Sequence, residues 1–431
     1  MRFFYSLILY LLTPFLIVRL WWKGKQLPAY RGRILERFYL GSKETKPVDV
    51  WVHAVSLGEV IAAIPLIDAV LSKNHTILVT TMTPTGSERV TMRFGDAVAH
   101  QYVPYDLPGV LKRFFRQVKP RVGIIMETEL WPNLIHQAQA AKIPLLLANA
   151  RLSESSFRGY KKLKWFFKPL LNQFTAILAQ SEDDAQRFMA LGTHADKVRN
   201  LGNMKFDLQT HNLGNLKFKP LKNQWGAQRV VVVAASTHDK EESQLFACLE
   251  RLQKAIPGVI FLCAPRHPER FQTVYQLSVA QGFNTGLLSN PSSITPDTEV
   301  VVLDCLGELL HVFQISDYAF VGGSFVPVGG HNVLEPIAMN IPVISGTYVN
   351  NFKSICHDLV EAQAIQLVPD AEALVDVLIT LQEDSKLRQQ MVQNARGVLE
   401  RNKGSVERHL QCIEAVLSNE PDAALFKRPL R

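Results

Sequence analysis

VDVWVHAVSLGEVIAAIPLIDAVLSKNHTILVTT, residues 48–81, reads as a strand, a short loop, a helix and a second strand. The runs 48–54 and 76–81 are β-branched and apolar almost throughout, and the stretch between them, 60–73, has a helical pattern. A strand that is apolar along its whole length must be covered on both faces, which happens in parallel sheets whose crossovers are helices. The same alternation continues outward. Strand-like runs recur at 122–126, 144–148 and 175–179, and again at 230–234, 259–264, 300–303, 318–321 and 342–344. Helical patterns at 184–191, 241–255 and 374–381 lie among or after them, and the chain from 371 to about 417 looks largely helical. Short apolar strands spaced by helices specify α/β.

The series breaks once, at the polar, Asn- and Lys-rich stretch 207–224, DLQTHNLGNLKFKPLKNQ. At 431 residues the chain is long enough for two cores, so the expected architecture is two Rossmann-like domains of similar size, 23–210 and 211–431, facing a central cleft. A third part precedes them. Residues 3–18 carry no charge, only Arg19 interrupts the apolar, aromatic run 3–22, and Trp21 and Trp22 suit an interfacial belt. About twenty helical residues reach ~30 Å, one hydrocarbon core. Lys23, Lys25, Arg31, Arg33 and Arg37 follow at once, which places the rest of the chain on the cytoplasmic side of a membrane anchored by 1–22. The alternative is an amphipathic helix packed on the protein's own body.

The net charge of +8 is unevenly spread: residues 1–210 hold 28 Lys and Arg against 16 Asp and Glu, and 211–431 hold 19 against 23. The first half should therefore face something anionic. Two basic-aromatic stretches, 111–121 (LKRFFRQVKPR) and 157–168 (FRGYKKLKWFFK), suit an anionic bilayer surface or, equally, two solvated helix faces. Nucleic acid is the poorer partner, because an anchor already accounts for the charge. Five cysteines, all after residue 247 and with no close pair, read as reduced thiols rather than a disulfide framework or a zinc site.

In open α/β sheets ligands bind outside the carboxyl ends of the strands, so chemistry is expected in the loops that follow them. The loop 53–59, HAVSLGE, holds Glu59 at a helix start as a candidate general base, while Ser56 and Glu59 also match an ordinary S-x-x-E capping box. The loop 127–132 carries Glu127 and Glu129; without further ligands nearby, sugar contacts or ion pairs fit them better than a metal. Ser236 and Thr237 open the second domain with hydroxyls at a helix start. In 264–270, APRHPER, Arg266 offers a planar fork to phosphate, His267 a nearby donor, and Pro265 stiffens the loop, which reads equally as a surface turn with incidental charge. The stretch 322–336, GGSFVPVGGHNVLEP, is the most specific. Its glycine pairs permit close backbone approach, Asn332 is placed to cap a helix, and Glu335 can accept two hydroxyls of a ribose. There is no G-x-G-x-x-G after a strand, no Walker A, no H-E-x-x-H and no D-x-D.

The segments HAVSLGE (53–59), ETELWPN (127–133), NARLSESS (149–156), GNMKFD (202–207), APRHPER (264–270) and GGHNVLEP (329–336) closely resemble the 3-deoxy-D-manno-octulosonic acid (Kdo) transferases of lipopolysaccharide synthesis. The resemblance runs over nearly the whole chain. It implies an inverting glycosyltransferase of the two-Rossmann, GT-B class on the inner membrane of a bacterium, cytoplasmic side, transferring Kdo from CMP-Kdo to a lipid A precursor (lipid IVA). It makes 23–210 the acceptor-binding domain and 211–431 the donor-binding domain. Glu59 becomes the base, with Glu127 as a supporting carboxylate and Ser56, Gly58, Glu129, Arg151 and Lys205 on the acceptor side or in the cleft. The donor's CMP falls to Ser236, Thr237, Pro265, Arg266, His267, to Leu306, Gly307 and Glu308, and to Asn332, Val333, Leu334 and Glu335. No cofactor or metal is implied: a nucleoside monophosphate leaves without a diphosphate to bridge. Two alternatives stay open, a membrane glycosyltransferase using another nucleotide sugar and a non-enzymatic nucleotide- or lipid-binding membrane protein.

Overall fold

In the computed structural model, which describes residues 2–26, 28–40, 47–207, 218–226 and 228–418, the alternation of strands and helices builds two seven-stranded parallel sheets. The first contains β1 (Val50–His53), β2 (Ile77–Thr81), β3 (Ala99–Tyr102), β4 (Val122–Met126), β5 (Leu145–Ala150), β6 (Ala176–Ala179) and β7 (Val198–Asn200). Its order is β3-β2-β1-β4-β5-β6-β7, the doubly wound arrangement. The second contains β8 (Val231–Thr237), β9 (Ile260–Pro265), β10 (Thr285–Leu287), β11 (Val300–Val302), β12 (Tyr318–Val321), β13 (Val343–Gly346) and β14 (Gln366–Val368). Its order is β10-β11-β9-β8-β12-β13-β14. Every residue of β1, β2, β4, β5 and β6 is buried, as are those of β9, β11, β12 and β13. Helices on both faces produce that burial, and it is why these strands read as unbroken apolar runs.

The chain divides into two compact units at Asp207 and again at Lys403. The second cut differs from the expected domain 211–431. The last described helix, Ser405–Leu417, returns to the first unit, where Leu410, Cys412, Ile413 and Leu417 join the core formed by Val50, Val52, Leu66 and Val122. The cause is a set of polar ties: Asp207 accepts the N–H groups of Gly404 (2.6 Å) and Val406 (2.5 Å), and His409 Nε2 accepts the Asn149 N–H at 3.1 Å. Of the linker expected over 207–224, residues 208–217 lie outside the described residues, and Lys219–Gly226 is a helix that buries Trp225.

The two basic-aromatic stretches part company. In the helix Pro108–Val118, Phe114 and Phe115 are buried with ring centroids 5.5 and 5.4 Å from Trp51, leaving Lys112, Arg113 and Arg116 outside as a solvated face. In the helices Glu154–Lys162 and Lys164–Leu171, Tyr160 stacks on Phe167, while Leu163, Trp165 and four lysines stay exposed. The helix Arg2–Gln26 is long and apolar enough to cross a membrane, and its most apolar window is 6% buried against the protein. All five cysteines are free thiols, four of them buried.

Candidate active site

Where strand order reverses in a parallel sheet, two strand-to-helix loops leave in opposite directions and open a crevice beyond the strand ends. In the first unit this happens between β1 and β4, in the second between β8 and β12. The loops singled out from the sequence stand at both places.

Glu59 is the third residue of the helix Leu57–Ser72, whose N-cap is Ser56. Its N–H donates to Ser56 Oγ at 3.3 Å, the Ser56 hydroxyl donates back to Oε1 at 2.8 Å, and the Val55 N–H donates to Oε2 at 2.8 Å. The Ser56 half of the capping box offered by the spacing is therefore formed, while the Glu59 side chain reaches past the N-cap to the Val55 N–H. It does not exhaust the carboxylate, since each oxygen keeps a second lone pair. Glu59 is 7% exposed. Burial raises its pKa to about 7, helped by the charges of Glu129 and Glu127 and opposed by its two hydrogen bonds.

The loop after β4 supplies those charges. Glu127 sits in the left-handed region, φ 54°, which lifts the following residues off the strand line. Trp131 Nε1 donates to Glu129 Oε2 at 2.7 Å, and burial pushes the Glu129 carboxyl up as well. Thr128 donates to the Arg151 carbonyl after β5, and Lys205 Nζ, after β7, lies 3.9 Å from Glu127 Oε1. Between the β1 and β4 loops, His53 is fully buried edge-on to Trp131, with Nδ1 3.1 Å from Thr80 Oγ1. Ser56, Gly58, Glu59, Glu127, Glu129, Arg151 and Lys205 thus gather at one edge of the first sheet, Gly58 exposed on the first turn of its helix.

In the second unit Thr237 is paired in register with Pro265, and its carbonyl accepts the Arg266 N–H at 2.9 Å, leaving the Arg266 and His267 side chains exposed. Ser236 is left-handed, φ 55°. Asn332 accepts the Leu334 N–H at 3.1 Å and donates to Glu335 Oε1 at 3.0 Å. Burial raises the Glu335 pKa, and the Arg266 charge works against that rise, which puts the two in one electrostatic neighbourhood. Val333 and Leu334 turn their side chains into the core, at 1% and 0% exposed, so only their backbone can meet a ligand. Leu306, Gly307 and Glu308 follow β11, on the far side of β9 from β8; Glu308 pairs with His311 at 3.1 Å and Leu306 is 73% exposed. Among the described residues no three His, Cys, Asp or Glu side chains converge to hold a metal ion.

Residues 32–208 match the family model for 3-deoxy-D-manno-octulosonic-acid transferase (kdotransferase), and 299–398 match glycosyl transferases group 1. A 3-deoxy-D-manno-octulosonic acid transferase of Haemophilus influenzae is 38% identical over 96% of this chain and 99% of its own length. The chain belongs to the Kdo transferase family. Another member, from Bordetella pertussis, is 33% identical over 95% of this chain and 98% of its own. A glycosyltransferase from Rickettsia africae shares the fold, with TM-score 0.56 at 14% identity over 87% of this chain and 100% of that one. The two parallel α/β units are those of the GT-B class, and the protein is an enzyme, a glycosyltransferase that moves Kdo.

Two residues that the motifs did not flag tie these loops together. Glu241 and Glu242 are both fully buried. Glu241 accepts backbone N–H groups from His238 and from Gly323, Ser324 and Phe325, and Glu242 accepts from Thr237 Oγ1 and pairs with Arg270, both at 3.0 Å. His238 and His331 meet Nε2 to Nε2 at 2.8 Å, one donating to the other. In sequence the two glutamates look like routine acidic residues in a helix's first turn. Only their partners, 82 residues further on in the case of Gly323, reveal the role.

Proposed function

We propose that the transferase carries Kdo from CMP-Kdo to the primary hydroxyl of a lipid A precursor such as lipid IVA, in one inverting displacement. The acceptor oxygen bonds to the anomeric carbon while that carbon's bond to the CMP phosphate oxygen breaks; CMP leaves with the electron pair. Glu59 takes the hydroxyl proton. The observation that carries this reading is Glu59 itself: a buried carboxylate at the β1/β4 switch point, held by two donors, with a pKa raised to about 7. A base is most effective when its pKa lies near the working pH. Glu127 and Glu129 supply charge that raises it, and Lys205 and Arg151 stand beside them for a phosphorylated acceptor. The donor belongs to the second unit, where the Arg266 fork and the backbone around Asn332 suit a departing phosphate without a metal, and Glu335 suits the ribose. We assign residues 208–402 to donor binding and the first unit to the acceptor. The helix Arg2–Gln26, followed by basic residues, supports anchoring to the cytoplasmic face of the inner membrane, with Trp165 and its lysines as a second contact.

The test is a mass spectrum of a tetraacylated lipid A precursor after incubation with freshly generated CMP-Kdo and either the wild-type chain or Glu59→Ala. Addition of whole Kdo units by the wild type, lost in the variant, is expected. A Glu59→Ala chain that transfers at the wild-type rate removes Glu59 as the base.

A further inference from the structure

The loop that follows β12 is glycine-rich, and glycine-rich backbone loses more entropy on ordering than any other. Gly323, Gly329 and Gly330 all have positive φ, at 67°, 106° and 76°. Yet this loop leads directly into Asn332 and Glu335, whose placement decides whether a ligand is met. What orders it is a side chain from another element. Glu241 Oε2 accepts the N–H of His238 at 2.9 Å and of Gly323 at 2.7 Å; Oε1 accepts those of Ser324 and Phe325, both at 2.9 Å. The carboxylate is fully buried, and among the described residues no lysine or arginine forms an ion pair with it. A buried charge is costly unless it is fully hydrogen-bonded, and hydrogen bonds to a charge are about twice as strong as neutral ones. Four backbone donors on one carboxylate therefore make a rigid clamp. Gly322 leaves it room: a Cβ there would stand 3.0 Å from Glu241 Oε2 and 2.9 Å from the Ser236 carbonyl oxygen.

Its neighbour faces the other way. Glu242 holds Thr237 Oγ1 and Arg270, and Arg270 closes the loop that begins with Arg266 and His267. His238, whose N–H Glu241 fixes, reaches across with its ring to His331, the residue before Asn332; the two ring planes lie 4° from parallel. The two adjacent carboxylates thus join three loops, after β8, β9 and β12, and these carry most of the proposed donor contacts.

We propose that Glu241, supported by Glu242, is the positioning residue of the donor site: it touches no substrate, and it fixes the 323–325 backbone against the β8 loop so that Asn332 and Glu335 meet CMP-Kdo. This rests on the reading that the second unit takes CMP-Kdo. The charge makes the proposal sharp. CMP is an anion, so Glu241 by charge alone opposes its binding, and Glu241→Gln should tighten CMP if electrostatics were its only effect. A positioning role gives the opposite sign, because glutamine presents an NH2 group to two of the four backbone donors.

The experiment is titration calorimetry of CMP with the full-length protein in detergent, wild type against Glu241→Gln, alongside steady-state kinetics for both substrates. Expected is a CMP Kd weakened by about tenfold to a hundredfold, what leaving buried N–H groups unpaired costs. The donor KM should rise with it while kcat and the acceptor KM stay within about threefold. A variant that is merely less folded would instead lose kcat toward both substrates at unchanged KM. A folded Glu241→Gln that binds CMP as well as or better than wild type overturns the proposal. If that variant does not fold, Glu241→Asp, which keeps the charge but draws the carboxylate back from the four backbone donors, replaces it with the same two outcomes. Absence of CMP binding by the wild type would instead bring down the donor reading on which the proposal stands.

Discussion

Glu59 serves two ends that pull in opposite directions. As the third residue of its helix it should be ionised, because Ser56 and the Val55 N–H both donate to it and the helix start favours negative charge. As a buried group beside Glu129 it should be neutral, and burial wins by enough to bring it to about 7. A carboxylate pushed up in this way is protonated, and inert as a base, below that value. The pH dependence of kcat/KM is therefore expected to rise about tenfold per unit up to near pH 7 and to flatten above it. Glu59→Gln should lower kcat by at least ~10²-fold with CMP affinity intact. A profile already flat from pH 5 would mean that another group, or none, takes the proton. The local string offers both roles for Glu59 and no means of choosing, since S-x-x-E reads the same whether the glutamate caps, catalyses or does both; only the family resemblance singles it out as the base. Its environment comes from Glu127 and Glu129, about 70 residues on, and burial of that kind is not a local property. Glu241 is the same lesson at greater distance.

Among the elements, the strands legible in the sequence were those covered on both faces. The four that escaped, β3, β7, β10 and β14, are the four sheet edges. Each has three or four residues and is partly exposed, so no apolar run marks it. The helix Ser405–Leu417 was legible as a helix but not as part of the first unit, because its tie is a buried histidine. His409 Nδ1 lies 2.7 Å from the Ser405 carbonyl and Nε2 accepts the Asn149 N–H, which requires a neutral ring. Burial lowers its pKa to about 4, and lowers that of His53 to about 3, against an ordinary 6.5. Both rings are thus held neutral in the folded chain and take up protons on unfolding. Stability from them is complete above pH 6.5 and is lost as the pH falls toward 4. The melting temperature should drop over that window. His409→Ala should cost about 2–4 kcal/mol at pH 7.5 in denaturant titrations. It should also flatten the acid side of the curve, since the His409 part, on the order of 3 kcal/mol, is gone. An acid limb as steep as that of wild type would mean that His409 is not the group responsible.

For the whole molecule, the double crossing between units sets what can be separated. The chain leaves the first unit at Asp207 and re-enters at Lys403, and the Asp207 carboxylate holds Gly404 and Val406, so exit and return are side by side. A segment inserted between two adjacent points does not need its host to close it. The sheet from β8 to β14 is complete within 231–368, with cores that run from Leu221 to Met391, and every proposed donor contact from Ser236 to Glu335 lies inside it. Charge divides along the same line: 208–402 carry 14 basic and 19 acidic residues, the rest of the chain 33 and 20. Only the first unit, outside 208–402, has the balance expected to sit on an anionic surface or hold a phosphorylated lipid. Residues 208–402 expressed alone should fold cooperatively, stay in solution without detergent and bind CMP within about threefold of the full chain's Kd. The converse truncation should fail. Ending the chain at 402 strips Leu410, Ile413 and Leu417 from the first unit's core, at about 2–5 kcal/mol each, and together these rival the roughly 5–15 kcal/mol that holds a domain folded. Calorimetry and thermal melts on the two fragments check both statements. A 208–402 fragment that is folded yet blind to CMP, while the full chain binds it, would show that the first unit contributes part of the donor site.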